Sequence, residues 1–320
     1  MALTTVSVVI PVKNEADKLG ACLQAILTQS HEVLEIIVID SGSTDGTQDL
    51  AQRFAKVKLV QIEPAQFNHG ATRNQAIAMT RGEFVLCTVG DAQAVDRFWI
   101  ERLLAGFTDD AVVGVCGQQV VPHRADTNPV EWFRPQSIAT SQRYQFVDAD
   151  TFAAAPVEQR KAACSWDNVT ALYRRQAIIE TPFTTFPYGE DLLWAHAQLN
   201  MGRALVYQPS AQVYHYHLMN HQTTMKRTLV VLNLLYRVHG FVHAPYPWLL
   251  TTLRGWYTIW HRATGLTMRQ RVFWSYSAVE NNFSLYQSIK RFRKAVARGD
   301  GALDRLLQRY CGGAPPIPVK

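Results

Sequence analysis

The sequence contains no long hydrophobic run. A membrane-spanning helix needs about 20 predominantly apolar residues, and the longest candidate, residues 228–236, is far too short. The N-terminus has no basic segment followed by an apolar one, because residues 7–12 already have the pattern of a strand that ends in a polar loop. We therefore expect neither a spanning helix nor a secretory signal peptide.

Cysteine is scarce and scattered. The five residues are Cys22, Cys87, Cys116, Cys164 and Cys311, and no two of them have CxxC spacing. An odd number without regular spacing argues against a disulfide framework, so the sequence favours a reduced, cytoplasmic setting.

Two common nucleotide-binding motifs are also missing. The first predicted strand is followed by Lys13-Asn14-Glu15 instead of a GxGxxG turn, and no GxxxxGK[ST] loop occurs. These absences exclude the usual dinucleotide fingerprint and the usual P-loop. Acidic and amide side chains stand in their place, and such groups can accept hydrogen bonds from a nucleobase N–H and from ribose hydroxyls.

Acidic residues become rare after position 217. Residues 218–320 contain 15 Lys or Arg against three Asp or Glu, whereas residues 1–217 contain 17 against 23. A near-neutral body therefore carries a strongly basic tail, which indicates an anionic partner surface. No recognised nucleic-acid-binding motif accompanies this charge, so we do not expect nucleic acid as the partner.

The first 120 residues alternate short β-branched runs with amphipathic stretches. The predicted strands are 7–12, 34–40, 57–62, 83–89 and 112–117, and the predicted helices are 16–29, 45–55, 70–80 and 96–107. This alternation predicts an α/β fold with a mostly parallel sheet and helices on both faces. Ligands bind such sheets beyond the carboxyl ends of the strands.

The rest of the chain divides into three stretches. Residues 121–165 are irregular, a helix at 189–201 and a strand at 204–208 follow, and from about 220 the pattern is helical, aromatic and basic. We therefore predict a catalytic region at 1–220 and a helical region at 221–320.

Polar side chains follow several of the predicted strands. Asp40 ends one strand and favours a nucleotide contact over a simple turn role, whereas Asp45 has the position of a helix cap. Asp91 follows an apolar strand, where one carboxylate could bind Mg²⁺ or Mn²⁺ or else cap the next helix. The strand ends therefore predict a nucleotide site that could also hold a metal.

Three later motifs are weak when each is taken alone. Arg73, near a helix start, could reach a phosphate, although such an arginine is usually solvated. Acidic residues such as Glu190-Asp191 are routine in the first turn of a helix. His215 and His217 alternate on a strand-like segment, which would place both on one face.

Together and in this order, the motifs resemble family 2 glycosyltransferases, which have a GT-A fold. The resemblance rests on residues 11–15, on the 39–47 segment and on Asp91. The later motifs resemble the rhamnosyltransferase-like branch of that family. They are residues 67–74, residues 168–171 before Arg174-Arg175, residues 190–194 and the His215/His217 pair. The matching motifs lie within about residues 5–230.

The resemblance implies an inverting transfer of a sugar from a nucleotide diphosphate to an acceptor hydroxyl of a glycan or lipid-linked glycan. The analogous donor is dTDP-rhamnose, with UDP- or GDP-linked sugars as alternatives. The residues that would hold the nucleotide sugar are Pro11, Asn14, Glu15, Asp40, Arg73 and Asp91. Asp40 would contact the base. The resemblance also implies a role in the synthesis of bacterial surface glycans.

The resemblance also assigns the remaining site residues. Asp191 would be the general base, and Asn168 and Glu190 would line the acceptor or sugar pocket. Asp91 and His215 would bind Mg²⁺ or Mn²⁺, with His217 as the second choice of histidine.

The motif around Asp91 departs from the family pattern in two ways. Many members have two acids in the metal motif, but Gly90-Asp91-Ala92 supplies one. The rhamnosyltransferase-like branch often has Gln before this Asp and Pro shortly after it, where this sequence has Gly90 and Ala94. Two alternatives therefore stay open: a nucleotidyltransferase, and a module that binds a nucleotide sugar without turnover.

The basic tail has two interpretations. Its arginines and tryptophans could seat the chain on the anionic inner face of the plasma membrane. The residues in question are Arg254, Trp256, Trp260, Arg262, Arg269, Arg271 and residues 290–294. Alternatively, the tryptophans pack inside a helical subdomain and the charges are simply solvated.

Overall fold

The computed structural model of the chain describes residues 4–133 and 140–312. It divides into two compact units. The first contains the described residues up to Val120 and from 140 to His215, and the second contains 121–133 and 216–312. Residues 121–133 thus group with the C-terminal part, although the sequence placed them in the region 1–220. The last eight residues of the predicted helical region, 313–320, lie outside the described residues.

In the part of the chain that the structure describes, the first unit is built on a sheet of nine strands. They are β1 (Val6–Val12), β2 (Glu35–Asp40), β3 (Val57–Gln61), β4 (Phe84–Cys87), β5 (Gln93–Ala94), β6 (Val112–Val120), β7 (Gln142–Tyr144), β8 (Ala171–Arg174) and β9 (Ala204–Tyr214). Their order in the sheet is β3-β2-β1-β4-β8-β6-β9-β5, and β7 also pairs with β9.

Within the described residues, twelve α-helices accompany the strands. In the first unit they are α1 (Leu19–Leu27), α2 (Thr47–Ala51), α3 (His69–Ala78), α4 (Trp99–Leu104), α5 (Ala149–Ala154), α6 (Val157–Ala163), α7 (Arg175–Glu180) and α8 (Glu190–Asn200). In the second unit they are α9 (His221–His239), α10 (Trp248–Tyr257), α11 (Met268–Val296) and α12 (Asp300–Cys311). The predicted α/β fold with a helical C-terminal region is confirmed.

The direction of the strands brings the polar loops to one edge of the sheet. Strands β1 to β4 are mutually parallel, and β9 is parallel to β6. Because β8 runs antiparallel to both β4 and β6, β6 and β9 have the same direction as β4. The carboxyl ends of β1, β2, β4 and β9 therefore meet at one edge. The sheet is more mixed than the predicted mostly parallel one, since β5, β7 and β8 all pair antiparallel.

The central strands are buried on both faces, as their continuous apolar sequences require. All seven residues of β1 and five of the six in β2 are buried. They pack against α1 through Leu19, Leu23 and Ile26, which share one face of that helix. Burial of these side chains stabilises the unit by about 25 cal/mol per Å² of apolar surface, and it holds the strand ends in fixed positions.

The second unit has two apolar clusters. One joins α9, α11 and α12 through Leu229, Phe292 and Leu303. The other packs Trp132 against Ile259 and Trp274, which explains why residues 121–133 group with the C-terminal helices. None of the described helices is both long enough and apolar enough to cross a membrane.

Candidate active site

Asp40 ends β2 and is completely buried. Its Oδ1 accepts hydrogen bonds from the backbone N–H groups of Gly42 and Ser43, both at 2.9 Å, and from Gln48 Nε2 at 2.8 Å. Its Oδ2 is buried and has no hydrogen-bond partner within the described residues. An unpaired buried acceptor costs about 1–3 kcal/mol, and an N–H donor would remove this cost.

Asn14 joins the loops after β1 and β2. It is the one non-glycine among the described residues with a positive φ, at 54°. Its backbone N–H donates to Ser43 Oγ at 2.8 Å, and its Oδ1 accepts from the N–H of Thr44 at 2.9 Å. The side chain therefore ties the two loops together, so its contribution to a ligand site is to shape the loops. Pro11 is buried within β1, opposite Ile39 of β2, and likewise shapes the backbone there.

Glu15 brings a second carboxyl group close to Asp91. Burial, followed by the charge of Asp91, raises the pKa of Glu15 to about 7. Its Oε2 is buried without a hydrogen-bond partner in the described part of the chain. A Cβ added to Gly90 would lie only 1.8 Å from this oxygen. Glycine at position 90 thus makes room for the carboxyl group of Glu15.

Asp91 and His215 form the candidate metal site. Asp91 Oδ1 lies 3.4 Å from His215 Nε2, and both side chains are largely buried. Lys18 Nζ lies 3.8 Å from the other carboxylate oxygen. Asp91 and His215 each offer one ligand atom, and these atoms are close enough together to bind the same ion. His217 belongs to the second unit, so its role stays a prediction. Both histidines follow the end of β9 at Tyr214, so they do not alternate on a strand.

Gln119, at the end of β6, fixes the orientation of His215. His215 Nδ1 lies 2.7 Å from Gln119 Oε1, and the amide of Gln119 also donates to the carboxylate of Asp167. A carboxylate can only accept, so the Nε2 of Gln119 must face Asp167 and its Oε1 must face His215. The imidazole then donates from Nδ1, and in its neutral form the lone pair of Nε2 faces Asp91.

This arrangement fits a divalent cation. A neutral imidazole lone pair and a carboxylate oxygen 3.4 Å apart repel each other, and a divalent cation bound to both would remove that repulsion. Oxygen and imidazole donors together suit Mn²⁺ better than Mg²⁺, which prefers oxygen alone. The Nδ1–H of a metal-bound histidine usually donates to an acceptor, as it does here to Gln119.

Arg73 is placed differently from the predicted phosphate contact. It is only 4% exposed, and its NH1 donates to Glu190 Oε1 at 2.9 Å and to the carbonyl of His69 at 3.1 Å. An arginine so buried must pair with a carboxylate, because an isolated charge there would be too costly. Its guanidinium therefore positions Glu190, and its geometry gives the phosphate contact no support.

Glu190 and Asn168 belong to the same buried network. Glu190 Oε1 also accepts from Asn168 Nδ2 at 3.0 Å, and Asn168 Oδ1 accepts from the hydroxyl of Tyr173 at 2.6 Å. Tyr173 in turn accepts from Trp166 Nε1 at 2.8 Å. These bonds connect β8 to the start of α8 and fix the residue that follows Glu190.

Asp191 follows Glu190 in the first turn of α8. The helix begins after Gly189, which has a φ of 87°. The side chain of Asp191 is partly exposed. Burial and then the neighbouring Glu190 charge raise the pKa of Asp191 to about 7, and Asp167 adds to this rise. A carboxyl group with a pKa near 7 can accept a proton at neutral pH more readily than an ordinary aspartate.

Sequence reasoning missed Gln119 and Asp167. Both bridge the predicted metal ligand His215 to the surroundings of Asp191. One signal was available for Gln119, since it ends an apolar strand at the same edge as Asp91. No such signal marks Asp167, because its contact depends on how β6 and β8 pair.

The chain is similar to known glycosyltransferases. Residues 7–158 match the family model described as glycosyl transferase family 2. The O-antigen chain rhamnosyltransferase RfbN of Salmonella typhimurium is 29% identical over 252 residues, covering 76% of this chain and 74% of that protein. The O-antigen chain rhamnosyltransferase WbaN of Salmonella anatum is 29% identical over 232 residues, covering 70% and 67%.

Solved structures share the fold. The mannosyltransferase PcManGT from Pyrobaculum calidifontis, in complex with GDP-Man and Mn²⁺, has a TM-score of 0.55 at 19% identity over 95% of this chain and 78% of that one. TarS 1–349 of S. aureus, in complex with UDP-GlcNAc, has a TM-score of 0.53 at 15% identity over 91% and 92%.

Proposed function

We propose that this chain, whose residues 7–158 match the model of glycosyl transferase family 2, moves a sugar from a nucleotide diphosphate to a glycan hydroxyl. The transfer inverts the anomeric configuration. The acceptor is a growing, lipid-linked surface glycan on the cytoplasmic face of the membrane. The transferred sugar is L-rhamnose from dTDP-rhamnose, a choice supported by the similarity to the two Salmonella rhamnosyltransferases.

One observation carries the proposal. Side-chain contacts connect Asp91 to His215, His215 to Gln119, and Gln119 to Asp167. The charge of Asp167 in turn helps to raise the pKa of Asp191. The candidate metal site and the candidate base are therefore neighbours at one edge of the sheet. A transferase needs the metal site and the base close together, because the leaving diphosphate and the attacking hydroxyl lie on opposite sides of one anomeric carbon.

The nucleotide lies over the ends of β1 and β2. The unpaired Oδ2 of Asp40 accepts the N–H of the base, and the loops joined by Asn14 form the floor beneath it. A pyrimidine imide N–H, as in dTDP or UDP, supplies the donor that this oxygen lacks. Guanine offers N–H groups too, so the donor base must be decided by experiment.

Asp191 takes the proton from the acceptor hydroxyl as the hydroxyl oxygen attacks the anomeric carbon. The new C–O bond forms while the bond to the diphosphate breaks, and the nucleoside diphosphate leaves with the bonding electron pair. A single displacement inverts the anomeric configuration. The raised pKa of Asp191 suits this role, because the base must bind a proton at neutral pH.

Asp91 and His215 would hold Mn²⁺ or a similar divalent ion, which when bound offsets the charge of the leaving diphosphate. Gln119 keeps the Nε2 of His215 turned toward Asp91, and Asp167 holds the amide of Gln119. Glu190 and Asn168 support the base and line the sugar pocket.

The test is transfer of labelled sugar onto a lipid-linked glycan extract from dTDP-rhamnose, UDP-GlcNAc and GDP-mannose in parallel. We expect incorporation from dTDP-rhamnose, loss of it with EDTA, and loss of it in Asp191→Asn. Incorporation from another donor would keep the transferase and change the sugar. Donor binding without turnover by any of the three would favour a binding module instead.

The second unit would seat the chain on an anionic membrane. Its exposed apolar face consists of Leu249, Leu253, Trp256, Tyr257 and Trp260, which recur at helical spacing on α10 and the turns that follow. The Nε1 groups of Trp256 and Trp260 donate to Ser275 O and Oγ, both at 3.0 Å, so both rings are fixed at the surface. Exposed tryptophan and tyrosine beside arginines are typical of a membrane interface.

The charge of this unit supports a lipid partner, because 15 basic residues against three acidic ones in 218–320 attract anionic headgroups. Trp274 is buried in the unit's core, as the alternative interpretation expects of the tryptophans. One detail differs from the membrane interpretation. Arg271 donates to the carbonyls of Ile259 and Ala263, where it caps the end of a helical segment and is not available to lipid.

A further inference from the structure

The second unit contains a cavity of about 400 Å³ whose charged lining residues are all cations. They are Arg291 and Lys294 on α11, Arg298 in the following turn, and Arg305 and Arg309 on α12. Tyr310 forms part of the wall. Five positive charges thus converge on one small space.

Within residues 4–133 and 140–312, none of these five cations forms an ion pair. The two acidic residues of α12, Asp300 and Asp304, are occupied elsewhere, since Arg237 of α9 lies 2.9 and 3.6 Å from them. Arg305 and Arg309 are four residues apart on α12, a spacing at which like charges on a helix repel. An anion bound in the cavity would offset this repulsion.

Two of the five cations stack on an aromatic ring before any ligand binds. The guanidinium carbons of Arg291 and Arg309 lie 5.0 and 5.4 Å from the ring centre of Tyr310, so both stack against one aromatic ring. Beneath them, Leu303 and Leu307 of α12 pack against Phe292 of α11 in the unit's core. Side chains ordered in this way lose less conformational entropy when they bind.

We propose that this cavity is a binding site for a phosphate-bearing group, with a diphosphate as the best match. Guanidinium forks pair with phosphate oxygens through two parallel hydrogen bonds, and four of the five cations are arginines. A single monoester carries too little charge to neutralise five cations, whereas a diphosphate offers more charge and more acceptor oxygens. The site concerns binding alone, so it stands or falls independently of sugar transfer by the first unit.

The test is a calorimetric titration of the full chain with inorganic pyrophosphate, paired with sedimentation on vesicles. The vesicles are phosphatidylcholine alone or phosphatidylcholine with phosphatidic acid. We expect pyrophosphate to bind, and the double variant Arg305→Gln/Arg309→Gln to weaken binding at least tenfold. The variant Arg305→Lys/Arg309→Lys keeps the positive charge but loses the forked guanidinium groups. Its affinity for pyrophosphate should therefore lie between that of the wild type and that of the glutamine variant.

The control is Arg53→Gln/Lys58→Gln, which removes the same charge from exposed positions in the first unit. Circular dichroism checks that each variant is folded. If Arg305→Gln/Arg309→Gln weakens the binding of pyrophosphate but not of phosphatidic acid vesicles, the natural ligand is a soluble phosphate. If pyrophosphate does not bind and this variant weakens vesicle binding, the ligand is a lipid headgroup. If neither binds, or if the control weakens binding as much as the cavity variant does, the proposal is overturned.

Discussion

The two units of this chain differ in the charged groups that they bring together. The first unit places carboxyl groups where burial disfavours their ionised form, as at Glu15 and Asp191, whose pKa values are both raised to about 7. The second unit gathers cations without acidic partners around a cavity and leaves large apolar side chains exposed. Unfavourable features of this kind persist in native proteins mostly where a ligand or partner relieves them.

The difference indicates what each unit binds. Clustered carboxyl groups at the end of a sheet favour a cation and a proton to be moved, whereas clustered arginines and exposed tryptophans favour phosphate and lipid. On our proposals, the first unit would carry out the chemistry and the second would bind the chain to its anionic partner. This division can be tested, because a variant in one unit should leave the readout of the other unchanged.

The largest effect is expected for Asp191→Asn. Removing the base should lower kcat by about 10²–10⁴-fold, while the Kd of the donor should change less than twofold, because the amide keeps the shape of the side chain. Kinetics and donor calorimetry measure the two quantities. Asp150→Asn, on the exposed side of α5, is the matched control and should match the wild type.

The next effect concerns the residue that orients the metal ligand. Gln119→Met keeps the size of the side chain but removes both hydrogen bonds, so Mn²⁺ affinity should fall about 10–100-fold. Titration of Mn²⁺ followed by electron paramagnetic resonance measures this affinity without any turnover. The control is Gln212→Met, because the side chain of Gln212 donates to Gln118 Oε1. This variant should retain the wild-type affinity for Mn²⁺. Equal losses of affinity in both variants would show that Gln119 has no special role.

For the exposed apolar face of α10, we expect Leu249→Ser/Leu253→Ser to weaken binding to anionic vesicles about tenfold. The estimate assumes that roughly half of each side chain enters the lipid. Donor affinity should not change. Met201→Ser, which alters an equally exposed apolar residue in the first unit, should leave vesicle binding as it was.

The smallest effect is on stability. The folded-state pKa of Asp191, about 7, lies above its ordinary value of 3.8. The native state therefore holds this proton more tightly than the unfolded chain, and the resulting stability is complete below about pH 4 and lost as pH rises through 7. Asp191→Asn should thus have a Tm a few degrees above wild type at pH 8, with a gap that shrinks at pH 5. Scanning calorimetry at the two pH values measures it, and a constant gap would contradict the raised pKa.

Much of the first unit could be predicted from sequence because its signals are local. A strand followed by a polar loop, repeated at regular spacing, is enough to place Asp40 and Asp91 at one edge of a parallel sheet. The exact extent of the helices was less predictable, since α2 covers only Thr47–Ala51 of the predicted 45–55.

What could not be predicted depends on contacts between distant parts of the chain. The bridge from His215 through Gln119 to Asp167 requires the pairing of β6 with β8 and β9. The burial of Arg73 depends on Glu190, 117 residues further along the chain. In the second unit, helical periodicity could not decide which tryptophans are buried, because α10 and α11 present aromatic residues on more than one face.

The most direct test of the central claim is calorimetric titration of the pure chain with dTDP-rhamnose, UDP-GlcNAc and GDP-mannose, in Mn²⁺ and then in EDTA. The proposed site predicts selective binding of one nucleotide sugar, with an affinity that Mn²⁺ strengthens and that Asp91→Asn brings down to the EDTA value. Binding of none of the three under either condition would contradict a nucleotide-sugar site at the ends of β1, β2 and β4.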